Sequence, residues 1–355
     1  MLLLFGGRSA EHDVSRVTAV AVARALDPAK YEVVPVAITT EGRWLLAADA
    51  ARQLAAGPGA LPAAFAAEGE ATAELGALVT TGASPLAVDV VIPLLHGPYG
   101  EDGTIQGLLE LADLAYVGSG VVGSAVAMDK VMMRRAFAAA GLAQPRWLEF
   151  RAGHDRDRLR SDVADLGTPC FVKPANMGSS VGVSKVHEPG ELDPAVDAAL
   201  EFDEWILVEE GIDGREIEVG VLGDDPPQTS VPGEIVPGDE FYTYADKYED
   251  GTAELLAPAP LGDEDAAIVR ALATRAFDAC RCEAMARVDF FFEEGRRGFL
   301  VNEVNTIPGF TPISMFPRLW ECSGVSYPAL LDRLIDLAMA RHVRRSTRAG
   351  RQREP

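Results

Sequence analysis

No stretch of about 18 consecutive apolar residues occurs in the 355-residue sequence, which excludes an ordinary membrane-spanning helix. Cysteine is scarce. Cys170, Cys280, Cys282 and Cys322 make no Cys-x-x-Cys pair, so no disulfide framework or structural zinc site is expected, and the thiols read as reduced and cytoplasmic. Basic residues are also few: 32 stand against 54 acidic ones, a formal net charge of −22. Phosphate backbones are bound by basic surfaces, so nucleic acid is not the expected partner. No Gly-x-x-x-x-Gly-Lys-[Ser/Thr] run is present, which rules out a P-loop. The apolar start lacks a basic flank and runs into Gly6-Gly7, the pattern of a first strand rather than a signal peptide.

The remaining composition is that of a globular chain, 48% hydrophobic and 24% charged, long enough for two or three domains. Over residues 1–120 strands at 2–5, 33–38 and 88–95 alternate with helices at 14–26 and from 104 onward, an open α/β pattern. Residues 47–87 are rich in Ala, Gly and Pro and read as helix fragments and loop. From 121 the pattern changes to a helix at 129–140 and short strands at 170–173, 181–186, 206–209 and 216–221. A strand pair at 287–292 and 299–305 follows a helix at 264–280, and a helix at 327–340 closes the fold. The expected units are 1–120, 121–212 and 213–340. The final residues, 341–355, hold six arginines and one glutamate and read as a solvated, disordered tail.

Two familiar patterns fail on context. Gly118-Ser119-Gly120-Val121-Val122-Gly123 matches a dinucleotide fingerprint, but it lies far from the first strand and lacks the acidic residue about 20 positions on. Gly178-Ser179-Ser180-Val181-Gly182 matches a nucleophile elbow, yet an alternating, strand-like segment follows where a helix is required. The segment reads better as strand–loop–strand: small residues after Lys173 leave backbone N–H groups free to close on phosphate oxygens. A mobile hairpin tip is the plain alternative. Lys130, in a helix's first turn, opposes the macrodipole unless an anion is near.

The sharpest constellation is the strand pair near the C-terminus. A turn centred on Arg296 sets Asp289 opposite Glu303 and Arg287 opposite Asn305, so all four share one face. Opposed carboxylates repel unless a positive charge lies between them, and oxygen-only ligands suit Mg²⁺. A surface hairpin with lysine-paired acids is the alternative. At the carboxyl ends of the first domain's strands, Glu11 and His96 share one rim, where ligands bind in open α/β sheets.

Taken together, Gly6-Gly7-Arg8-Ser9-Ala10-Glu11-His12-Asp13-Val14-Ser15, the segments 96–107 and 173–182, Met128-Asp129-Lys130, Arg287-Val288-Asp289 and the segment 302–309 resemble the D-alanine–D-alanine ligase family over roughly residues 2–340. The resemblance implies an open α/β, Rossmann-like domain followed by a two-lobed α+β ATP-grasp fold. It implies ATP-dependent joining of two D-alanines through a D-alanyl phosphate for peptidoglycan precursor synthesis, by a cytoplasmic enzyme, with a homodimer expected. Two Mg²⁺ ions, or Mn²⁺ in their place, would be held by Asp289, Glu303 and Asn305. ATP would meet Lys130, Lys173, Glu209, Glu216 and Lys247. Glu11 and His96 would receive the first D-alanine, and Ser314 the second one's carboxylate. Arg287 and the Gly309 N–H would stabilise the oxyanion, while Tyr248 joins Ser179 and Glu11 to shut a lid over residues 241–248. Another ATP-grasp carboxylate–amine ligase and a silent nucleotide-binding module are the competing classes.

Overall fold

The computed structural model describes residues 1–71, 88–237 and 254–348. In the first sheet, β1 (Leu2–Gly6) pairs in parallel with β2 (Val34–Ile38) and β5 (Val90–Pro93), and β5 with β6 (Ala115–Tyr116). Every residue of β1 and β5 is buried, which is why both read as unbroken apolar runs. Short antiparallel strands β3 (Trp44–Leu46) and β4 (Glu70–Ala71) extend one edge. Helices α1 (His12–Ala25), α2 (Ala48–Ala55) and α3 (Thr104–Leu111) belong to this part of the chain.

Helix α4 (Val121–Met128) leads directly into α5 (Lys130–Ala139). Asp129 separates them: its carboxylate accepts the Met132 N–H at 2.9 Å, a cap that starts the second helix. The second sheet runs β7-β10-β8-β9, all antiparallel, from β7 (Trp147–Arg151), β8 (Cys170–Pro174), β9 (Ser184–Val186) and β10 (Trp205–Glu210). Its core side packs Val172, Ile206 and Val208 against Leu159 and Val163 of α6 (Arg156–Leu166) and Val196 of α7 (Leu192–Leu200).

The third sheet, β13-β12-β11-β14-β15, comprises β11 (Arg215–Leu222), β12 (Gln228–Val236), β13 (Glu254–Leu256), β14 (Met285–Glu293) and β15 (Gly298–Asn305). Ile217, Val219 and Phe290 pack on Val269, Ala273 and Phe277 of α8 (Asp263–Ala279). Acids at 263, 264 and 265 fill the first turn of that helix, where its dipole favours negative charge. Two helices close the described chain, α9 (Met315–Cys322) and α10 (Tyr327–Ser346).

Three expectations need correction. The strand expected over 181–186 is present only as Ser184–Val186, because Ser179, Ser180 and Gly182 have φ of 49°, 60° and 71° and keep the chain in a loop. The β14–β15 register has Asp289 opposite Glu303 and Arg287 opposite Asn305, but Phe290 then faces Val301, so Asn302 is an extra residue in a bulge. Lastly, the solvated tail expected from residue 341 is helical to Ser346. The reason is specific docking: Arg341 is buried, donates to Tyr116 O at 2.6 Å and to Gly118 O, and stacks 4.4 Å from the Tyr116 ring. Arg345 meets Glu283 at 2.7 Å and Glu110 at 2.5 Å. Residues 349–355 of the tail lie outside the described residues.

Removing the Arg341 side chain strands buried carbonyl oxygens, so Arg341→Ala is expected to lower the unfolding free energy by about 3 kcal/mol. A urea titration checks this, and an unchanged midpoint would contradict the docking account.

Candidate active site

A cavity of about 1330 Å³ opens where the three sheets meet. Glu11, His96, Lys130, Lys173, Ser179, Glu209, Glu216, Arg287, Asp289, Glu303, Asn305, Gly309 and Ser314 all line it. Lys247 and Tyr248, with the rest of the aromatic stretch 241–248, lie outside the described residues.

One end of the cavity is built by the loops after β1 and β5. Glu11 stands at the start of α1, and its carboxylate accepts the Ser179 hydroxyl of the glycine-rich loop. Its Oε2 lies 3.1 Å from where a Cβ would stand on either Gly97 or Gly178, so glycine at both positions lets the two loops approach it closely. His96 is buried, with Nε2 unpaired among the described residues. Burial pushes its pKa below 6.5, with the charge of Glu11 acting in the opposite direction. A carboxylate and an imidazole nitrogen in one pocket suit a small ammonium-bearing ligand.

Another part of the lining is cationic. Lys130 extends from α5 and donates to Met177 O at 2.5 Å, tying that helix to the glycine-rich loop. Burial lowers its pKa from 10.5. Lys173 on β8 is paired with Glu209 on the adjacent β10, and Glu209 also meets Arg134 at 2.5 Å. Burial works to raise the Glu209 pKa, but the charges of Lys173 and Arg134 outweigh it and hold the carboxyl at about 2.

The wall between is the β14–β15 face. Arg287 grips Asp289 through both oxygens at 2.7 and 2.6 Å, and its Nε lies 3.2 Å from Glu218. Burial disfavours its charge, yet Asp289 and Glu218 hold its pKa well above the ordinary arginine value, so it remains a cation. The Asn305 amide donates to Asp289 at 2.9 Å and to Glu303 at 3.4 Å. Among the described residues no three His, Cys, Asp or Glu side chains form a metal cage. Asp289, Glu303 and Asn305 are instead a partial, oxygen-donor shell, which fits a hard cation that also takes substrate phosphate oxygens. Below this wall, the Thr311 N–H donates to the Ser314 Oγ at 3.2 Å, at the N-terminus of α9.

Sequence reasoning passed over four charged side chains here. Glu101 lines the cavity, accepts Gly97 N at 2.7 Å and Ile307 N at 3.3 Å, and so bridges the β5 loop to the segment after β15. Burial, with the nearby charge of Glu11, pushes its pKa up to about 8. It lies within the segment 96–107, five residues after His96, and that spacing is its one signal in the sequence. Lys185 and Glu218 become visible only through strand register, opposite Phe171 and Asp289 respectively. Arg134 reads as an ordinary helical arginine until its burial is known.

Comparison with known proteins identifies the family. A family model described as the D-ala D-ala ligase N-terminus matches residues 1–119, and one described as the D-ala D-ala ligase C-terminus matches residues 136–336. The D-alanine--D-alanine ligase of Geobacillus kaustophilus is 47% identical over 359 residues, covering 97% of this chain and 96% of that protein. That of Thermoanaerobacter sp. strain X514 is 48% identical over 350 residues, covering 96% of each. Among solved structures, the D-alanine-D-alanine ligase of Coxiella burnetii superposes with a TM-score of 0.83 at 35% identity, covering 97% of this chain and 95% of that one. The VanG D-Ala:D-Ser ligase of Enterococcus faecalis gives 0.82 at 32%, covering 95% and 98%. With both halves matched and near-complete coverage of its relatives, this ATP-grasp chain belongs to the D-alanine–D-alanine ligase family.

Proposed function

We propose that this chain joins two molecules of D-alanine into D-alanyl-D-alanine, with conversion of ATP to ADP and phosphate, as a step of peptidoglycan precursor synthesis. The observation that carries this reading is a single cavity combining the Glu11–Ser179 pocket, the Lys130 and Lys173 cations and the Asp289–Glu303 oxygen set. In the first step a D-alanine carboxylate oxygen attacks the γ-phosphorus, the bond to ADP breaks, and D-alanyl phosphate forms. In the second, the amine of another D-alanine attacks that carbonyl, the tetrahedral intermediate expels phosphate, and the amine's proton is lost.

Each group has a part in this sequence. Glu11, with His96 beside it, holds the first ammonium. Lys130 and Lys173 draw the phosphates into place, with Glu209 and Glu216 on the adenine and ribose sides. Arg287 and the Gly309 N–H face the oxyanion. Ser314, at the head of α9, takes the second carboxylate where the helix dipole favours an anion. Asp289, Glu303 and Asn305 would hold two Mg²⁺ ions, or Mn²⁺, which when bound offset charge on the phosphates. Lys247 and Tyr248 belong to the proposed lid that excludes water from the acyl phosphate.

Units at about 1–120, 121–212 and 213–340 are part of the proposal and are supported by the separation of the three sheets along the chain. All four cysteines are free, which supports a reducing, cytoplasmic setting. No described helix is long and apolar enough to cross a membrane. A homodimer completes the reading, to be checked by sedimentation. A second reading concerns the nucleophile alone, because the VanG relative, named for D-Ala and D-Ser, shares the fold at a TM-score of 0.82.

ADP and phosphate release that depends on added D-alanine tests the reaction itself; release independent of it would leave only a nucleotide-binding module. Glu303→Gln is expected to lower turnover by several kcal/mol of transition-state stabilisation, about a thousandfold. Turnover within about threefold of the parent at saturating Mg²⁺ would contradict its ligand role. Tyr248→Phe is expected to weaken discrimination between D-alanine and D-lactate as second substrate, read by product analysis at neutral pH. Parent enzyme making mostly D-alanyl-D-lactate or D-alanyl-D-serine would overturn the specificity proposed here.

The raised Glu101 pKa gives a test independent of turnover. A carboxyl that binds its proton more tightly in the folded state stabilises the fold at low pH and loses that contribution as pH rises through the folded value. Between its ordinary value of 4.5 and about 8, the parent should therefore lose stability relative to Glu101→Gln. Urea midpoints of both proteins measured across that range decide it; parallel curves would remove the assignment.

A further inference from the structure

Arg134 is the largest fully buried side chain of the described chain, 1% exposed, and it does not line the cavity. It lies one turn along α5 from Lys130, behind the cationic wall. Its guanidinium makes three contacts on two strands. Nη2 meets Glu209 of β10 at 2.5 Å and the Asn302 side chain of β15 at 3.3 Å, and Nη1 donates to Val301 O at 2.8 Å. Asn302 is the bulged residue immediately before Glu303. The arginine therefore spans from the second sheet to the third, from the partner of Lys173 to the strand that carries the metal ligands.

The charge count gives this geometry a consequence. Glu209 is 2% exposed and is the shared partner of Lys173 and Arg134. One carboxylate between two cations leaves the cluster a net positive unit at the cavity wall. If only Lys173 faced Glu209, the pair would be neutral and would offer little attraction to a phosphate.

We propose that Arg134 is a positioning residue for the nucleotide: by sharing Glu209 it leaves the charge of Lys173 available to the phosphates, and by holding Val301 and Asn302 it fixes that charge relative to the metal strand. This rests on the reading of Lys173 as a phosphate-side cation. A planar fork with several donors is what the three contacts require, and lysine supplies the charge without the fork.

The test compares Arg134→Met, Arg134→Lys, Glu209→Gln and the Arg134→Met/Glu209→Gln pair, reading KM for ATP and D-alanine and the Kd of ADP. Arg134→Met is expected to raise KM for ATP and Kd for ADP about tenfold while KM for D-alanine stays within about twofold. Arg134→Lys, which keeps the charge, should stay within about threefold of the parent for ADP. The double variant decides between electrostatic and merely structural roles. Removing the Glu209 charge restores the surplus on Lys173, so the pair should bind ADP more tightly than Arg134→Met alone. Losses that multiply in the pair, or an ADP affinity unchanged in Arg134→Met, would overturn the proposal. If Arg134→Met does not fold, Arg134→Gln carries the same comparison. Glu209→Gln alone reports the net of a lost adenine-side contact and a freed Lys173 charge, so the pair is scored against both single variants and only a non-additive recovery counts as rescue.

Discussion

Two carboxylates face each other across adjoining strands, Asp289 on β14 and Glu303 on β15, and their repulsion must be offset for the strands to pair. Arg287 and Asn305 do part of this from the same face, by hydrogen bonds to Asp289 of 2.6 and 2.9 Å. The opposite face is apolar: Phe290 and Phe292 pack around Phe299 with ring centroids 6.3 and 4.1 Å away. That burial anchors the strands, so the charged face is presented to the cavity whether or not its charges are comfortable. A stable hydrophobic side thus carries an electrostatically unfavourable one and holds its carboxylates assembled on the cavity face.

The same arrangement recurs around the cavity with different means. Glu209 is held ionised by two cations, whereas Glu101 retains a proton to a pKa of about 8. Glu11 is close to both His96 and Glu101, so its charge favours a proton on each of them. These groups cannot be separated into independent residues, because each sets the charge state of its neighbours. Local backbone strain accompanies them. Ser179 and Ser180 are both left-handed without being glycine, and the hydroxyl of the first is spent on Glu11.

Much of this was legible in the sequence where a short-range rule applied. The unbroken apolar runs of β1 and β5 announce a sheet covered on both faces, and a turn centred on Arg296 gives the opposition of Asp289 and Glu303, which the structure reaches through the bulge at Asn302. What escaped depends on contacts between distant segments. The bulge at Asn302 has no composition signal, and its side chain is explained by an arginine 168 residues away. Glu218 matters because its register partner is Asp289, a pairing set by the sheet and not by local spacing. The arginines after 340 look like a tail until Tyr116, Gly118 and Glu283 supply their partners. The short strands β3 and β4 and the eight-residue α9 are too brief to show a period.

Helix α10 has one further consequence. Leu330, Leu331, Leu334, Ile335 and Ala338 are part of the same core as Leu3, Phe5, Val90 and Ile92, so the last described helix forms a wall of the first sheet's interior. Lys30 and Tyr31 reach Asp332 at 2.7 and 2.8 Å from the same side. The interior of the first sheet is therefore closed by a segment far along the chain, a long-range contact of the kind that slows folding. Helix α10 and the interior of the first sheet thus share one core, and a truncation before residue 330 uncovers the strands farthest from it in sequence.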